Sequence, residues 1–425
     1  MKSITKAVFV LTIFSAISRI LGFVFKVYLS HSIGEEGVAI YQIAMSLFFV
    51  LLTFVASGIP SIISRQVAVY SNTKQYSKNL TLITSGIMVV SVLSVLVIVL
   101  CFALKNVFYS LKIDNQAIEL LYLMLPAFVF SAYQNVFRGY IWGKSDFFKM
   151  SLIDLIEQVC RISLCFILAT NLFNISTLFA AVISLNVSCF ISMLLSMIYY
   201  LRNKGRFAFA KHDAIYLVKS SAPITAVRMV GSFVQPITAV VIPLMLVKAG
   251  YQQSDALSLY GAATGMVLPI LSLPSTFIGA LAQALIPDLS SKMASKNNNA
   301  ITQQVRSAIM FTTIISLILV PIFSALGYEI GEFLFNSKMA GQLLEMSAWI
   351  MLPLGLNNLS SSMLNAIGLE TKGFINYFIG TAVLIICLFT LPQFVGINAI
   401  IIGMGLCMTI SSVLNIAMLS KKLSI

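Results

Sequence analysis

The chain has 425 residues, of which 59% are apolar and only 10% are charged. So few charges cannot cover a water-soluble globule of this size, and a soluble fold is excluded. The formal net charge is +13. The basic residues are spread over short segments between apolar runs, which favours a role in membrane orientation over nucleic-acid binding.

Apolar runs long enough to cross a bilayer recur along the whole chain. They predict twelve transmembrane helices, near residues 7–29, 37–57, 80–104, 118–141, 151–171, 176–199, 214–246, 257–284, 305–325, 341–366, 374–391 and 397–419. The first run has no small-residue cleavage site and is predicted to be a retained span.

Lys and Arg residues concentrate in alternate connecting segments and at both chain ends. The segment that follows the fourth span, for example, includes Arg138, Lys144 and Lys149. The positive-inside rule therefore predicts that both termini lie in the cytoplasm.

Two short patterns occur at matching points in the two halves of the chain. IPSIISRQVA at Ile59–Ala68 matches IPDLSSKMAS at Ile286–Ser295, and Leu125-Pro126 matches Leu352-Pro353. Because each half has six spans, the halves enter the membrane in the same orientation. They are predicted to be related by a pseudo-twofold axis along the membrane normal, with a cavity between them.

The longest cytoplasmic connection marks the predicted boundary between the halves. We expect an N-terminal six-helix lobe at residues 1–200, a basic linker at 201–213 and a C-terminal six-helix lobe at 214–425. The fold class is thus an all-α polytopic membrane protein with two lobes.

Four polar residues stand at matching positions inside the first and seventh spans. Arg19 and Lys26 lie seven residues apart on one helical face, with Gly22 between them, and Arg228 and Gln235 repeat the spacing. Ionisable groups in hydrocarbon are costly and normally face a polar cavity. Because a guanidinium group suits phosphate, these residues are the predicted substrate-binding set for a phosphate-bearing substrate.

The fifth span carries a second polar stripe, formed by Asp154, Glu157 and Arg161. Glu157 and Arg161 are four residues apart, so they can pair within their own helix. Two interpretations stay open: the charges neutralise one another and fix helix packing, or the carboxylates couple transport to Na⁺ or H⁺.

The seventh span contains three prolines, Pro223, Pro236 and Pro243. Each proline removes a backbone hydrogen bond, which a span tolerates only where protein or water satisfies the freed carbonyl group. The spacing predicts a bent helix of the kind that a gate uses.

Several chemistries are not indicated by the sequence. The six cysteines lie in apolar runs without a C-x-x-C pair, and neither a Walker A sequence nor G-x-G-x-x-G is present. No histidine or activated serine accompanies the cations, so catalysis is not supported. We predict a transporter without a cofactor, driven by Na⁺, H⁺ or the membrane potential.

Four longer stretches carry a family resemblance. They are SRILGFVFKVYLSHSIGEEGVAIYQ (Ser18–Gln42), SGIPSIISRQVA (Ser57–Ala68), FRGYIWGKSDFFKMSLIDLIEQVCRI (Phe137–Ile162) and LYGAATGMVLPILSLPSTFIGALAQALIPDLSS (Leu259–Ser291). The chain resembles the multidrug/oligosaccharidyl-lipid/polysaccharide (MOP) exporter superfamily. Within it, the chain is most similar to the branch of stage V sporulation protein B and the polysaccharide flippases.

The resemblance implies a V-shaped flippase of the bacterial cytoplasmic membrane. Such a protein moves a polyprenyl-pyrophosphate-linked saccharide from the cytoplasmic to the outer leaflet by alternating access. Arg19 occupies the S-R-x-L-G position that is implicated in pyrophosphate binding in related flippases. Membrane lipids, and glycosyltransferases or a polymerase of the same pathway, are the implied partners.

Two other functions remain open from the sequence. A cation-coupled drug antiporter of the same architecture needs an anionic cavity, which the balance of Arg19, Lys26 and Arg228 disfavours. A membrane scaffold that transports nothing would tolerate the loss of Arg19 and Arg228.

The predicted orientation can be tested with alkaline phosphatase fusions. A fusion after Lys112 should be active because that segment is predicted to lie outside, whereas a fusion after Lys204 should be inactive. The reverse pattern would place both termini outside.

Overall fold

The structure is a computed structural model that describes residues 2–73, 75–106, 114–170, 175–208, 210–274, 298–366, 369–396 and 398–423. Nearly all of these residues are helical. Helices suit a membrane because they satisfy backbone N–H and C=O groups within the segment. The predicted all-α class is confirmed.

The helices that end at or before Lys248 cover the first seven predicted spans. They are α1 Lys2–Ala56, α2 Ile59–Asn72, α3 Tyr76–Ala103, α4 Asn115–Leu123, α5 Leu125–Gly143, α6 Phe147–Leu168, α7 Thr177–Arg202, α8 Lys211–Ser232 and α9 Val234–Lys248. Helix α1 contains the first two predicted spans. A kink at Gly34 separates them, since its φ of 66° is a conformation that glycine adopts without strain.

The described chain after Lys248 is helical as well. Its elements are α10 Gln253–Gly261, a π-helix Ala262–Val267, α11 Asn298–Phe335, α12 Lys338–Ser347, a 3₁₀ turn Ala348–Ile350, α13 Met351–Ala366, α14 Glu370–Thr390, α15 Pro392–Val395 and α16 Asn398–Leu423. The matching sequence at Ile286–Ser295 and the end of the eighth predicted span lie outside the described residues.

The described helices account for the twelve predicted spans. Nine helical segments among them are long and apolar enough to cross a membrane, and one of these, Ala16–Ser71, is long enough to hold the first two predicted spans. The pair α4 and α5, bent by 48°, supplies a further span. Helix α6 coincides with the remaining predicted span, and it carries Asp154, Glu157 and Arg161.

Prolines mark the points where helices stop and restart. Pro126 lies in the first turn of α5 just after the bend, and Pro353 lies in the first turn of α13 just after a 3₁₀ turn. In the seventh predicted span, α8 ends before Phe233 and α9 begins directly after it. Pro236 explains this break because it cannot donate to the carbonyl group four residues earlier.

Contacts divide the chain into two compact units. The first unit contains Met1–Phe25 and Ile43–Ile237, and the second contains Lys26–Gln42 and Thr238–Ile425. The first unit therefore extends beyond the lobe boundary at residue 200 that the sequence predicts. The linker belongs to it because Ser85 Oγ donates to the carbonyl of Ala210 at 2.9 Å.

The core of the first unit relies on close packing of α5 against α2. A Cβ atom at Gly139 would lie 2.8 Å from the carbonyl oxygen of Pro60, and one at Gly143 would lie 2.6 Å from Val67 Cβ. These two glycines form a G-x-x-x-G pair, which allows helix backbones to approach closely.

The second unit is held by amide groups and glycines. Asn376 Nδ2 donates to Asn415 Oδ1 at 2.9 Å, which joins α14 to α16 in the interior. Gly261 and Gly265, a second G-x-x-x-G pair, pack against residues 35–39 of α1. Both pairs therefore serve helix packing.

A substitution at Gly143 tests this packing. Gly143→Ala should destabilise the protein by about 1–3 kcal/mol, because the new methyl group meets Val67 Cβ and backbone. Gly86→Ala is the control, since its methyl group meets only side-chain ends at 3.1 Å. Thermal unfolding in detergent measures both, and a larger loss at Gly86 would contradict the packing argument.

Candidate functional site

Arg19 lies beside a seam between α1 and α6 in the first unit. The ring centroids of Phe14 and Phe148 are 5.6 Å apart. Farther along both helices, a Cβ atom at Gly22 would lie 3.5 Å from Gln158 Nε2. The two helices therefore run side by side in the same direction. The side chain of Arg19 is exposed on α1.

Helical geometry sets the level of Arg19 on this seam. Arg19 is one turn before Gly22, and Asp154 is one turn before Gln158. Because the helices run in the same direction, Arg19 and Asp154 lie at the same level. The predicted cation of the first span and the polar stripe of the fifth span thus belong to one region.

Asp154 forms an ion pair across two helices. Arg138 Nη2 on α5 donates to Asp154 Oδ1 at 2.5 Å, with side-chain exposures of 26% for the arginine and 39% for the aspartate. The contact is therefore half-buried and accessible on one side.

Glu157 sits in a more enclosed network. Arg161 Nη2 lies 2.6 Å from Glu157 Oε1, with exposures of 18% and 15%, in the pair that their spacing allows. Gln134 Nε2 donates to Glu157 Oε2 at 3.1 Å and also to Ser192 Oγ. Both carboxylates of α6 therefore have an arginine partner.

No metal cluster accompanies these ion pairs in the described part of the chain. Groups of three or more His, Cys, Asp or Glu side chains close enough to hold a metal ion are absent from those residues.

Arg228 lies where the second span is broken. Its Nη1 donates to the backbone carbonyl of Ser57, in the gap between α1 and α2. Close packing supports this contact, since a Cβ atom at Gly58 would lie 2.6 Å from the carbonyl oxygen of Ser221 on α8. Arg228 is exposed, and a guanidinium group has five N–H donors, so this bond still allows it to bind a phosphate group.

The other two predicted binding residues are placed differently. Gln235 is exposed near the start of α9, next to the break at Phe233, and belongs to the first unit. Lys26 is partly buried and belongs to the second unit, with the segment Lys26–Gln42. The structure thus groups Arg19, Arg228 and Gln235 in one unit and Lys26 in the other.

Sequence reasoning missed Arg138 as a site residue. It was grouped with the basic residues that follow the fourth span, yet it lies inside α5, more than a turn before the helix ends at Gly143. Its position within the predicted span at 118–141 was the one available signal. Its partner, Asp154, lies on another helix, so only the tertiary structure shows the pair.

An all-helical architecture, with nine described segments long and apolar enough to cross a membrane, defines a multi-pass membrane protein. Residues 4–293 match the family described as "Polysaccharide biosynthesis protein". The chain therefore belongs to this family.

Two curated relatives come from Bacillus subtilis (strain 168). Stage V sporulation protein B is 26% identical over 436 residues, covering 99% of this chain and 84% of that protein. Lipid II flippase MurJ is 20% identical over 412 residues, covering 89% of this chain and 75% of that protein.

Solved structures share the fold. An inward-facing multidrug resistance MATE family transporter of the MOP superfamily has a TM-score of 0.78 at 15% identity, covering 96% of this chain and 98% of that one. A MOP superfamily transporter from Pyrococcus furiosus, described as having a binding pocket of reverse polarity, has a TM-score of 0.70 at 14% identity, covering 99% and 96%.

The enclosed pair on α6 predicts a clear stability effect. Arg161→Met should destabilise the protein by about 3–5 kcal/mol, because it leaves Glu157 without its cation inside a span. The double variant Glu157→Gln/Arg161→Met should recover much of this loss. Thermal unfolding is the measurement, and Arg202→Met, at an exposed helix end, is the control. Equal losses in the single and double variants would argue against an energetic pair.

Proposed function

We propose that this protein is a flippase for a polyprenyl-pyrophosphate-linked saccharide, a precursor of a cell-envelope polysaccharide. It moves the lipid from the cytoplasmic to the outer leaflet of the bacterial cytoplasmic membrane by alternating access. Arg19 and Arg228 bind the diphosphate, and the polyprenyl tail stays in the lipid.

The charge arrangement of the first unit supports this proposal. Arg19 and Arg228 are exposed on α1 and α8, whereas Asp154 and Glu157 on α6 are each bound to an arginine. Arg138 and Arg161 neutralise the two carboxylates, so Arg19 and Arg228 leave these six side chains with a net positive charge, which favours an anionic ligand. Arginine binds phosphate oxygens in pairs, and a diphosphate offers several of them.

The direction of transport has a plausible driving force. Moving negative charge outward across an inside-negative membrane gains roughly 2.3 kcal/mol per charge per 100 mV. Coupling to Na⁺ or H⁺ would involve Asp154 or Glu157. Since both carboxylates pair with arginines, their contacts favour the helix-pairing interpretation.

The family supports the pathway but leaves the saccharide open. One relative is named a lipid II flippase, and the matching family is described by polysaccharide biosynthesis. Glycosyltransferases or a polymerase of the same pathway are the proposed partners, and both termini are proposed to lie in the cytoplasm.

The alternative is a cation-coupled drug antiporter, which the fold of the MATE transporters also allows. Such a protein would bind cationic drugs with accessible carboxylates. The ion pairs at Asp154 and Glu157 disfavour this function. A scaffold without transport activity is the remaining alternative.

Transport in proteoliposomes tests the proposal. The purified protein should flip a fluorescent polyprenyl-pyrophosphoryl saccharide, and Arg19→Ala should slow flipping at least about tenfold, because a charge-assisted hydrogen bond contributes about 1.5–3 kcal/mol. Arg19→Lys should retain part of the rate, since it keeps the charge without the planar fork.

Arg202→Ala is the matched control, because it removes the same charge at an exposed helix end. Wild-type rates for Arg19→Ala would remove the site assignment. Failure of the wild type to flip any such lipid would remove the function, and uptake of a cationic drug instead would establish the antiporter.

A further inference from the structure

The two ion pairs of α6 differ in a way that helix packing alone does not require. The pair of Glu157 and Arg161 is enclosed, with exposures of 15% and 18%, and lies within one helix. The pair of Asp154 and Arg138 joins two helices and is more open, with exposures of 39% and 26%. An open pair in a span can exchange partners with a ligand.

The contact of Arg138 with Asp154 uses one nitrogen and one oxygen. Arg138 Nη2 donates to Asp154 Oδ1, while Arg138 Nε is buried and has no hydrogen-bond partner among the described residues. An optimal arginine–carboxylate pair would form two parallel bonds. This single bond is therefore weaker than the two-bond pair that an arginine and an aspartate can form.

A second contact keeps the arginine in place. The Arg138 guanidinium lies 5.8 Å from the ring centroid of Trp142, one turn farther along α5. A cation–π contact of this kind does not depend on the carboxylate. Arg138 can thus hold its position when Asp154 moves away.

Asp154 also lies level with Arg19 on the α1–α6 seam. The helical positions of the two residues, relative to the contacts of Phe14 with Phe148 and of Gly22 with Gln158, put both on the same side of that seam. Asp154 therefore has one arginine bonded to it and a second arginine at its level. A diphosphate carries more negative charge than one carboxylate and would compete for both.

We propose that Arg138 is a further diphosphate-binding residue. Asp154 is its partner in the empty protein, and the diphosphate replaces Asp154 when the lipid binds. This inference rests on the proposed function and deepens it. In the empty protein Asp154 pairs with Arg138. In the loaded protein the diphosphate replaces Asp154, whose charge then opposes tight binding and promotes release.

Ligand binding by the full-length purified protein tests this exchange. The probe is undecaprenyl pyrophosphate, and undecaprenol serves as the tail-only control. Arg138→Ala should weaken binding of the probe about tenfold. Asp154→Asn should tighten it about tenfold, since the competing charge is gone. Binding of undecaprenol should stay unchanged in both variants.

Two matched controls and one rescue variant complete the design. Arg202→Ala and Asp114→Asn remove the same charges elsewhere, and asparagine can still cap α4 at position 114. If Arg138→Ala folds poorly because Asp154 loses its partner, the variant Arg138→Ala/Asp154→Asn has no unpaired charge there. It should also bind the probe more weakly than Asp154→Asn.

The outcomes separate this inference from the proposed function. Wild-type or weaker binding by Asp154→Asn would overturn the exchange and leave a purely structural ion pair, while the flippase proposal stands. Equal binding of undecaprenyl pyrophosphate and undecaprenol by the wild type would instead remove the diphosphate from the proposed function.

Discussion

A charged group inside a lipid bilayer must have a partner or reach water, and this constraint organises the first unit of the protein. The carboxylates of α6 satisfy it by pairing, Glu157 with Arg161 and Asp154 with Arg138. Arg228 has the backbone carbonyl of Ser57 as a partner, and the side chains of Arg19 and Arg228 are both exposed on their helices. The four arginines outnumber the two carboxylates, and this net positive charge supports an anionic substrate.

The backbone obeys a related constraint. Every helix break in a span frees carbonyl groups that need a donor. At the gap between α1 and α2, the carbonyl of Ser57 receives a hydrogen bond from Arg228, while Gly58 lets α8 approach closely. The same arginine is therefore a structural donor and a candidate ligand. Its structural bond also ties α8 to the second span, just before the seventh span breaks at Phe233.

The fold by itself does not decide the substrate. Transporters of the MATE family and of the MOP superfamily superimpose on this chain at 14–16% identity, and a protein named a lipid II flippase is among its sequence relatives. Function on a shared fold depends on the chemistry of the site. Here that chemistry consists of a few side chains on α1, α5, α6 and α8.

Hydropathy and local spacing alone determined the helical class, the approximate number of spans and the possible pairing of Glu157 with Arg161. These features depend on residues close together in the chain, so composition and helical periodicity are enough to predict them. Only the tertiary structure decided that Asp154 pairs with Arg138, that Arg228 binds the carbonyl of Ser57 and that the first unit ends at Ile237. Such contacts join residues on different helices, and their formation depends on how the helices pack, which no local pattern encodes.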